Sequence, residues 1–193
     1  MTRHARGVFG GTFDPPHVGH VAAVHAALDS LGLGELVVTV ARDPQLKDEP
    51  PCAPAEVRLE LARAAFGAID RVVVSDVELR RDGPTYTIDT VEEMVAASPD
   101  VELVLVVGAD AAASLPRWHR AGDLARLVTL GIVPRPGGEA VEPEGFSARW
   151  VQMAPVDLSS TAVRAALRAG HDPHGLVPDA VVHMLLANRL YSP

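Results

Sequence analysis

Cysteine is almost missing from this chain of 193 residues, with Cys52 the single copy. No disulfide can close within one molecule, and no site built on several thiolates can form. Such usage suits a reducing compartment, so a cytoplasmic location is expected. Aromatic residues make up only 4% of the chain, which leaves aliphatic side chains to build the core. Positive charge is also short: 17 lysines and arginines face 25 acidic residues, for a formal net charge of −8. No run of five or six like charges offsets that balance. A general surface for nucleic acid or anionic membrane is thereby excluded, while a local basic pocket for a small anion is not. Long hydrophobic runs are absent too. Met1 to Arg6 lead into an apolar stretch too short for a signal-peptide core or a membrane span. The expected partners are small molecules, with no nucleic acid and no membrane, and a homo-oligomer remains open.

What is present is an aliphatic chain, 48% hydrophobic, long enough for one medium domain spanning residues 1–193. Apolar, β-branched runs of strand length recur at Gly7-Val8-Phe9, Leu36 to Val40, Arg71 to Val74, Val101 to Val107 and Leu127 to Val133. They are continuous rather than alternating, as parallel strands covered on both faces require. Between them, Val18, Val21, Val24, Leu28 and Leu31 repeat at threes and fours up to Gly32, and Ala55 to Phe66 and Ile88 to Ala97 have a similar period. Alternating strand and helix predict an α/β fold with a parallel sheet. A loop rich in Pro, Gly and Glu is expected from Pro134 to Phe146, then a short strand over Trp150 to Met153. Helices follow at about Thr161 to Ala169 and Pro178 to Leu190, a small helical C-terminal portion from about residue 158.

The first strand runs into Gly10-Gly11-Thr12-Phe13-Asp14-Pro15-Pro16-His17-Val18-Gly19-His20. In open α/β sheets this first strand-to-helix turn is a favoured phosphate site. Glycines let backbone N–H groups approach an anion, and the helix start adds unpaired N–H groups and the positive end of a dipole. Neither G-x-x-x-x-G-K-[ST] nor G-x-G-x-x-G is present, so a P-loop and a dinucleotide fingerprint are both ruled out. His17 and His20 lie about 60° apart on one side of a helix. Alone, such a pair reads as a cap or core feature; beside a glycine cradle, the imidazoles can donate hydrogen bonds to a polyphosphate as charge builds.

A second anion site is suggested by Leu158-Ser159-Ser160-Thr161-Ala162-Val163-Arg164. Serine and threonine suit an N-cap, but Arg164 places a cation at the positive end of the helix dipole. A bound anion would resolve that conflict.

Gly10 to His20 resembles the nucleotidyltransferase superfamily that carries an H-x-G-H element, here His17-Val18-Gly19-His20. Leu158 to Arg164 is similar to the I-S-S-T-x-[IV]-R element of its adenylyltransferases. Gly83-Pro84-Thr85-Tyr86-Thr87-Ile88-Asp89-Thr90 resembles the G-P-[ST]-Y-T-x-D-T element of bacterial nicotinate mononucleotide adenylyltransferases. Gly108-Ala109-Asp110, Leu115-Pro116-Arg117-Trp118 and Val133-Pro134-Arg135-Pro136-Gly137 look like that family's G-A-D, L-x-x-W and [VS]-x-R-P-G elements. Leu176 to Val181 and Arg189-Leu190-Tyr191 resemble its closing segment.

The resemblance implies a Rossmann-like, doubly wound sheet and transfer of AMP from ATP to nicotinate mononucleotide, with pyrophosphate released. It implies His17, His20 and Arg164 at the reaction centre, and Gly10, Gly11, Thr12, Phe13, Gly108, Asp110, Arg135, Ser160 and Thr161 around ATP. Lys47, Thr85, Tyr86 and Trp118 would surround the acceptor, with Trp118 stacking on the pyridine ring. Mg²⁺ would ride on the ATP phosphates with few protein ligands. Two places depart from the family pattern. Asp43-Pro44-Gln45-Leu46-Lys47 keeps the proline and lysine of a P-x-x-K loop without its usual aromatic or histidine, and Val57 stands where histidine is common. Two other readings stay open on the residues alone: a sister enzyme acting on nicotinamide mononucleotide or another phosphorylated acceptor, and a nucleotide-binding regulator without turnover.

Overall fold

The computed structural model describes residues 5–44, 49–137 and 142–192. The chain runs β1 (Ala5–Gly11), α1 (Val18–Ser30), β2 (Leu33–Val40), α2 (Ala55–Phe66), β3 (Val72–Ser75) and α3 (Thr87–Ala97). It continues through β4 (Glu102–Gly108), α4 (Ala109–Ser114), a 3-10 turn (Leu115–Arg117), α5 (Ala121–Leu127), β5 (Val128–Val133), β6 (Ala148–Trp150), α6 (Ser160–Arg168) and α7 (Asp179–Ala187).

The six strands form one sheet in the order β3-β2-β1-β4-β5-β6, and every pairing is parallel. The chain builds outward from β1 to β3, then crosses back to lay β4 against the other edge of β1. Connections on either side of β1 and β4 therefore leave in opposite directions. A crevice opens at the carboxyl ends of these two strands, where doubly wound sheets bind ligands.

Successive strand residues point to opposite faces, so Val8 and Phe9 belong to different cores. Phe9, Val24, Leu28, Leu61 and Phe66 lie in one, under α1 and α2, which Val163, Val181 and Leu185 of α6 and α7 complete. Val8, Ile88, Val91, Leu105 and Leu124 lie in the other, under α3 and α5. Both faces are covered, which explains why the strand segments read as unbroken apolar runs.

The parallel α/β expectation holds, with local differences. The apolar pattern predicts no helix between Gly108 and Leu127, yet α4, the 3-10 turn and α5 fill that stretch. They are short, and α5 starts from Arg120 in the left-handed region at φ 52°, where no standard cap residue signals a helix. The last strand is Ala148–Trp150 rather than Trp150 to Met153; only the Val151 N–H still reaches Ile132 O, at 2.9 Å. Helix α7 ends at Ala187, short of Leu190, because Arg189 and Tyr191 take positive φ values of 49° and 63°.

Candidate active site

Gly10 and Gly11 close β1 opposite Thr39 and Val40 of β2. A Cβ on Gly11 would stand 2.6 Å from Phe13 Cζ, so glycine is required there for close approach. Phe13 is 2% exposed and left-handed, at φ 49°. Its ring wedges edge-on against Phe9 and Phe66. The sequence placed Phe13 among ligand-contacting residues; its side chain packs into the core beneath the loop and also borders the smaller cavity described next.

The segment Gly10 to Thr12 is a wall between two cavities, of about 250 and 450 Å³, and lines both. The smaller lies on the Phe9 side and is bounded by Phe13, His17, His20 and Arg135. The larger lies on the Val8 side and is bounded by Thr85, Tyr86, Trp118 and His119.

His17 caps α1 with extended backbone, and its N–H donates to His20 Nδ1 at 3.1 Å. Because that Nδ1 accepts, the neutral ring of His20 carries its proton on Nε2. The two rings stack with centroids 3.7 Å apart. His17 is 2% exposed, and its Nδ1 is buried without a hydrogen bond of normal geometry. Burial, with Arg135 adding to it, pulls the His17 pKa down to about 4. This ring is neutral at pH 7, so toward an anion it could offer a dipolar N–H but not an imidazolium charge. Gly19 is explained by the same packing: its Cβ would lie 3.0 Å from His17 Nδ1 and 3.3 Å from Val156 Cγ1.

Gly108 and Asp110 line the same cavity from the β4 to α4 junction. A Cβ on Gly108 would meet Asp110 Oδ1 at 2.5 Å. Arg135 reaches over from the end of β5, 3.7 Å from Asp110 Oδ1 and donating to Leu158 O at 3.2 Å.

Ser160, Thr161 and Arg164 are not among the residues lining the cavity; Ser160 and Arg164 are tied to Pro15 and Asp14, in the loop between Phe13 and His17 of its wall. Ser159 caps α6 by accepting from Ala162 N at 3.1 Å. Ser160 Oγ donates to Pro15 O at 2.9 Å, and Arg164 Nη1 to Asp14 O at 2.8 Å. Thr161 Oγ1 accepts from Arg164 Nη2 at 3.3 Å. Asp14 is a buried hub: its carboxylate accepts from Cys52 N at 2.7 Å, Ala53 N at 3.1 Å and Tyr191 Oη at 2.7 Å. Burial beside that carboxylate pushes the Tyr191 phenol up.

On the far side of the wall, Trp118 is held by its Nε1 donating to Ser114 Oγ at 2.9 Å. Tyr86, with no side-chain capping bond, precedes α3 and packs on His119 with centroids 4.2 Å apart. Thr85 Oγ1 accepts from Asp43 N at 3.4 Å, joining this corner to the end of β2. Lys47 lies outside the described residues.

Two further groups were not found from sequence. Arg58 is 1% exposed and donates to four backbone carbonyls: Thr12 at 2.8 Å, Ala41 at 2.7 Å, Arg42 at 3.1 Å and Ala53 at 3.0 Å. It ties the glycine loop to the segment that follows β2 and to the one that precedes α2. Glu78 is 6% exposed in the wall of the larger cavity, accepting from Thr90 Oγ1 at 3.2 Å. Burial raises its pKa, opposed by the hydroxyls of Thr39 and Thr90 and by Arg81. A lone charged residue in one sequence carries no sign of being buried, so neither was visible beforehand.

The profile of the cytidylyltransferase-like family matches residues 8–166, from β1 through most of α6. This chain belongs to that family. Among its relatives, a probable nicotinate-nucleotide adenylyltransferase of Gemmatimonas aurantiaca is 36% identical, covering 96% of this chain and 91% of its own. One of Geobacillus kaustophilus is 37% identical over 96% of this chain and 85% of its own. The Plasmodium falciparum nicotinic acid mononucleotide adenylyltransferase complexed with NaAD superposes with a TM-score of 0.80 over 97% of both chains. At 16% identity that likeness speaks for the fold. Family membership is in keeping with the His17 to His20 element, which lies inside the matched region.

Proposed function

We propose that this chain transfers AMP from ATP to nicotinate mononucleotide, giving nicotinate adenine dinucleotide and pyrophosphate in NAD biosynthesis. The observation that carries the reading is the shared wall: a histidine-lined cavity and an aromatic-lined cavity meet across Gly10 to Thr12. Two substrates placed on either side would bring their phosphates together over glycine N–H groups. Relatives more than a third identical to this chain are named for that reaction.

In this scheme a phosphate oxygen of the acceptor attacks the α-phosphorus of ATP, the bond from that phosphorus to the β-bridging oxygen breaks, and pyrophosphate leaves. The nucleophile is already anionic, so the chain supplies orientation and charge stabilisation rather than a strong base. His20 presents Nε2–H to the α-phosphoryl oxygens, and neutral His17 donates beside it. Arg135 lies over the polyphosphate, and Gly108 and Asp110 line the nucleoside portion. Arg164, Ser160 and Thr161, held beside the cavity by Asp14 and Pro15, close on the departing pyrophosphate. Trp118, Tyr86 and Thr85 receive the pyridine ring, and Lys47 pairs with the acceptor phosphate.

A Mg²⁺ would be held mainly by phosphate oxygens and water with few protein ligands; among the described residues no three His, Cys, Asp or Glu side chains gather as a metal cluster. The ion would neutralise charge on the leaving group. Residues 1–193 act as one nucleotidyltransferase domain, since the C-terminal helices share a core with α1 and α2. No helix among the described residues is long and apolar enough to cross a membrane, and the substrates belong to the cytoplasm.

The test is pyrophosphate release with ATP or CTP against nicotinate mononucleotide, nicotinamide mononucleotide and phosphopantetheine. Turnover is expected with ATP and nicotinate mononucleotide. Its absence with every pyridine nucleotide would refute the reading.

A further inference from the structure

We infer that Glu78 and Thr39 hold the two ribose hydroxyls of the acceptor mononucleotide, and so select a ribonucleotide acceptor. The inference rests on the larger cavity being the acceptor site, as proposed above.

Thr39 and Glu78 both line that cavity, and both are buried, at 1% and 6% exposure. Thr39 Oγ1 is shielded from water and makes no hydrogen bond of normal geometry, though its hydroxyl stands close enough to Glu78 to favour the carboxylate. A Cβ on Gly10 would lie 3.4 Å from this oxygen, so the hydroxyl stands just behind the glycine wall. Glu78 is oriented from behind: Arg81 Nη1 donates to Thr90 Oγ1 at 2.8 Å, and Thr90 in turn donates to Glu78 Oε1 at 3.2 Å. The carboxylate is thereby fixed by a neutral hydroxyl rather than neutralised by direct contact with a cation. Burying an acid in this manner is costly unless donors meet it.

Position along the cavity says which donors. Gly10 to Thr12 mark the phosphate end, and Trp118, Tyr86 and His119 mark the ring end. Thr39 adjoins the first. Glu78 is tied through Thr90 to α3, one turn past Tyr86 at its start. The portion of a mononucleotide between phosphate and base is the sugar, whose cis-diol offers two O–H donors about as far apart as the oxygens of a carboxylate. Glu78 accepts from the diol, and Thr39 supplies the donor and acceptor that complete it.

Steady-state kinetics with nicotinate mononucleotide and its 2′-deoxy and 3′-deoxy forms, on wild type, Glu78→Gln and Thr39→Val, tests this. Wild type should lose on the order of 10-fold or more in acceptor kcat/KM when either hydroxyl is removed. Each variant should lose a similar factor on the ribonucleotide, with KM for ATP unchanged. On the deoxy acceptor lacking the hydroxyl that residue holds, each should match wild type within about 2-fold. Equal losses on all three acceptors would overturn the inference, since the residues would then serve the fold or the ring charge. Indifference of wild type to the missing hydroxyls would overturn it too. Should Glu78→Gln fail to fold, the near-isosteric Thr39→Val decides alone. Wild-type turnover on nicotinate mononucleotide is measured first, so failure of the acceptor reading is recognised separately.

Discussion

Acidification should destabilise this protein through His17, by an amount the structure sets. Burial holds the folded-state pKa at about 4, against 6.5 for an unperturbed histidine. Between those values the unfolded chain binds a proton that the folded chain does not, so stability rises with pH from about 4 to 6.5 and is flat above. From pH 7 down to pH 4.5 this one group withdraws roughly 2 kcal/mol of folding free energy. With a urea m-value of about 2 kcal/mol/M, the midpoint falls by about 1 M from this cause. Carboxylates titrate over the same range, so the contribution is isolated by subtraction. His17→Gln keeps a polar side chain and loses the titration. Urea unfolding of both proteins at pH 7 and 4.5 should show the wild type losing roughly 2 kcal/mol more than the variant. Parallel losses would refute the argument and mean that His17 is free to protonate in the folded cavity. The outcome bears on mechanism, because a neutral His17 can donate to phosphate without adding a repelling cation beside Arg135.

Gly19→Ala presses a methyl group to 3.0 Å from His17 Nδ1 while improving helix propensity by up to about 1 kcal/mol. Turnover should fall on the order of 10- to 100-fold with little change in Tm, measured by pyrophosphate release and thermal unfolding. Arg58→Met leaves four carbonyls around the glycine loop without their donor; a loss of roughly 3 kcal/mol or more in urea unfolding is expected. Trp118→Ala should raise the acceptor KM on the order of 10-fold and leave the ATP KM alone, read from two-substrate initial rates.

Much of the fold was legible because parallel strands in a two-faced sheet advertise themselves as β-branched runs. Val101 to Val107 needed no neighbour to be recognised. The stretch from Ala109 to Leu127 was not legible: its helices are six and seven residues long, and Arg120 starts one from a conformation that no residue preference announces. The site shows the same division. Gly10, Gly11, His17 and His20 are local in sequence and chemically unusual, so they stood out. Ser160, Thr161 and Arg164 were found as a capped helix with a misplaced cation; Ser160 and Arg164 bond the Asp14-Pro15 loop beside the cavity without lining it. Arg58, Glu78 and His119 escaped because their meaning is created by tertiary burial and by residues tens of positions away. Phe13 was assigned to the ligand on resemblance; its ring packs in the core and also borders the smaller cavity.

The wall of Gly10 to Thr12 is one strand thick, and apart from Thr12 its shared face offers little but main chain. Apart from Ala111, which borders both, the side chains beyond the wall belong to one cavity or the other. Acceptor choice is therefore a separable trait: residues around Trp118 and Glu78 can diverge without disturbing the histidines, and a new acceptor can inherit an unaltered donor half. Inhibitors face the converse geometry. A compound that spans the wall must follow the main chain, whose shape mutation changes least, whereas one confined to either cavity is exposed to resistance through its side chains.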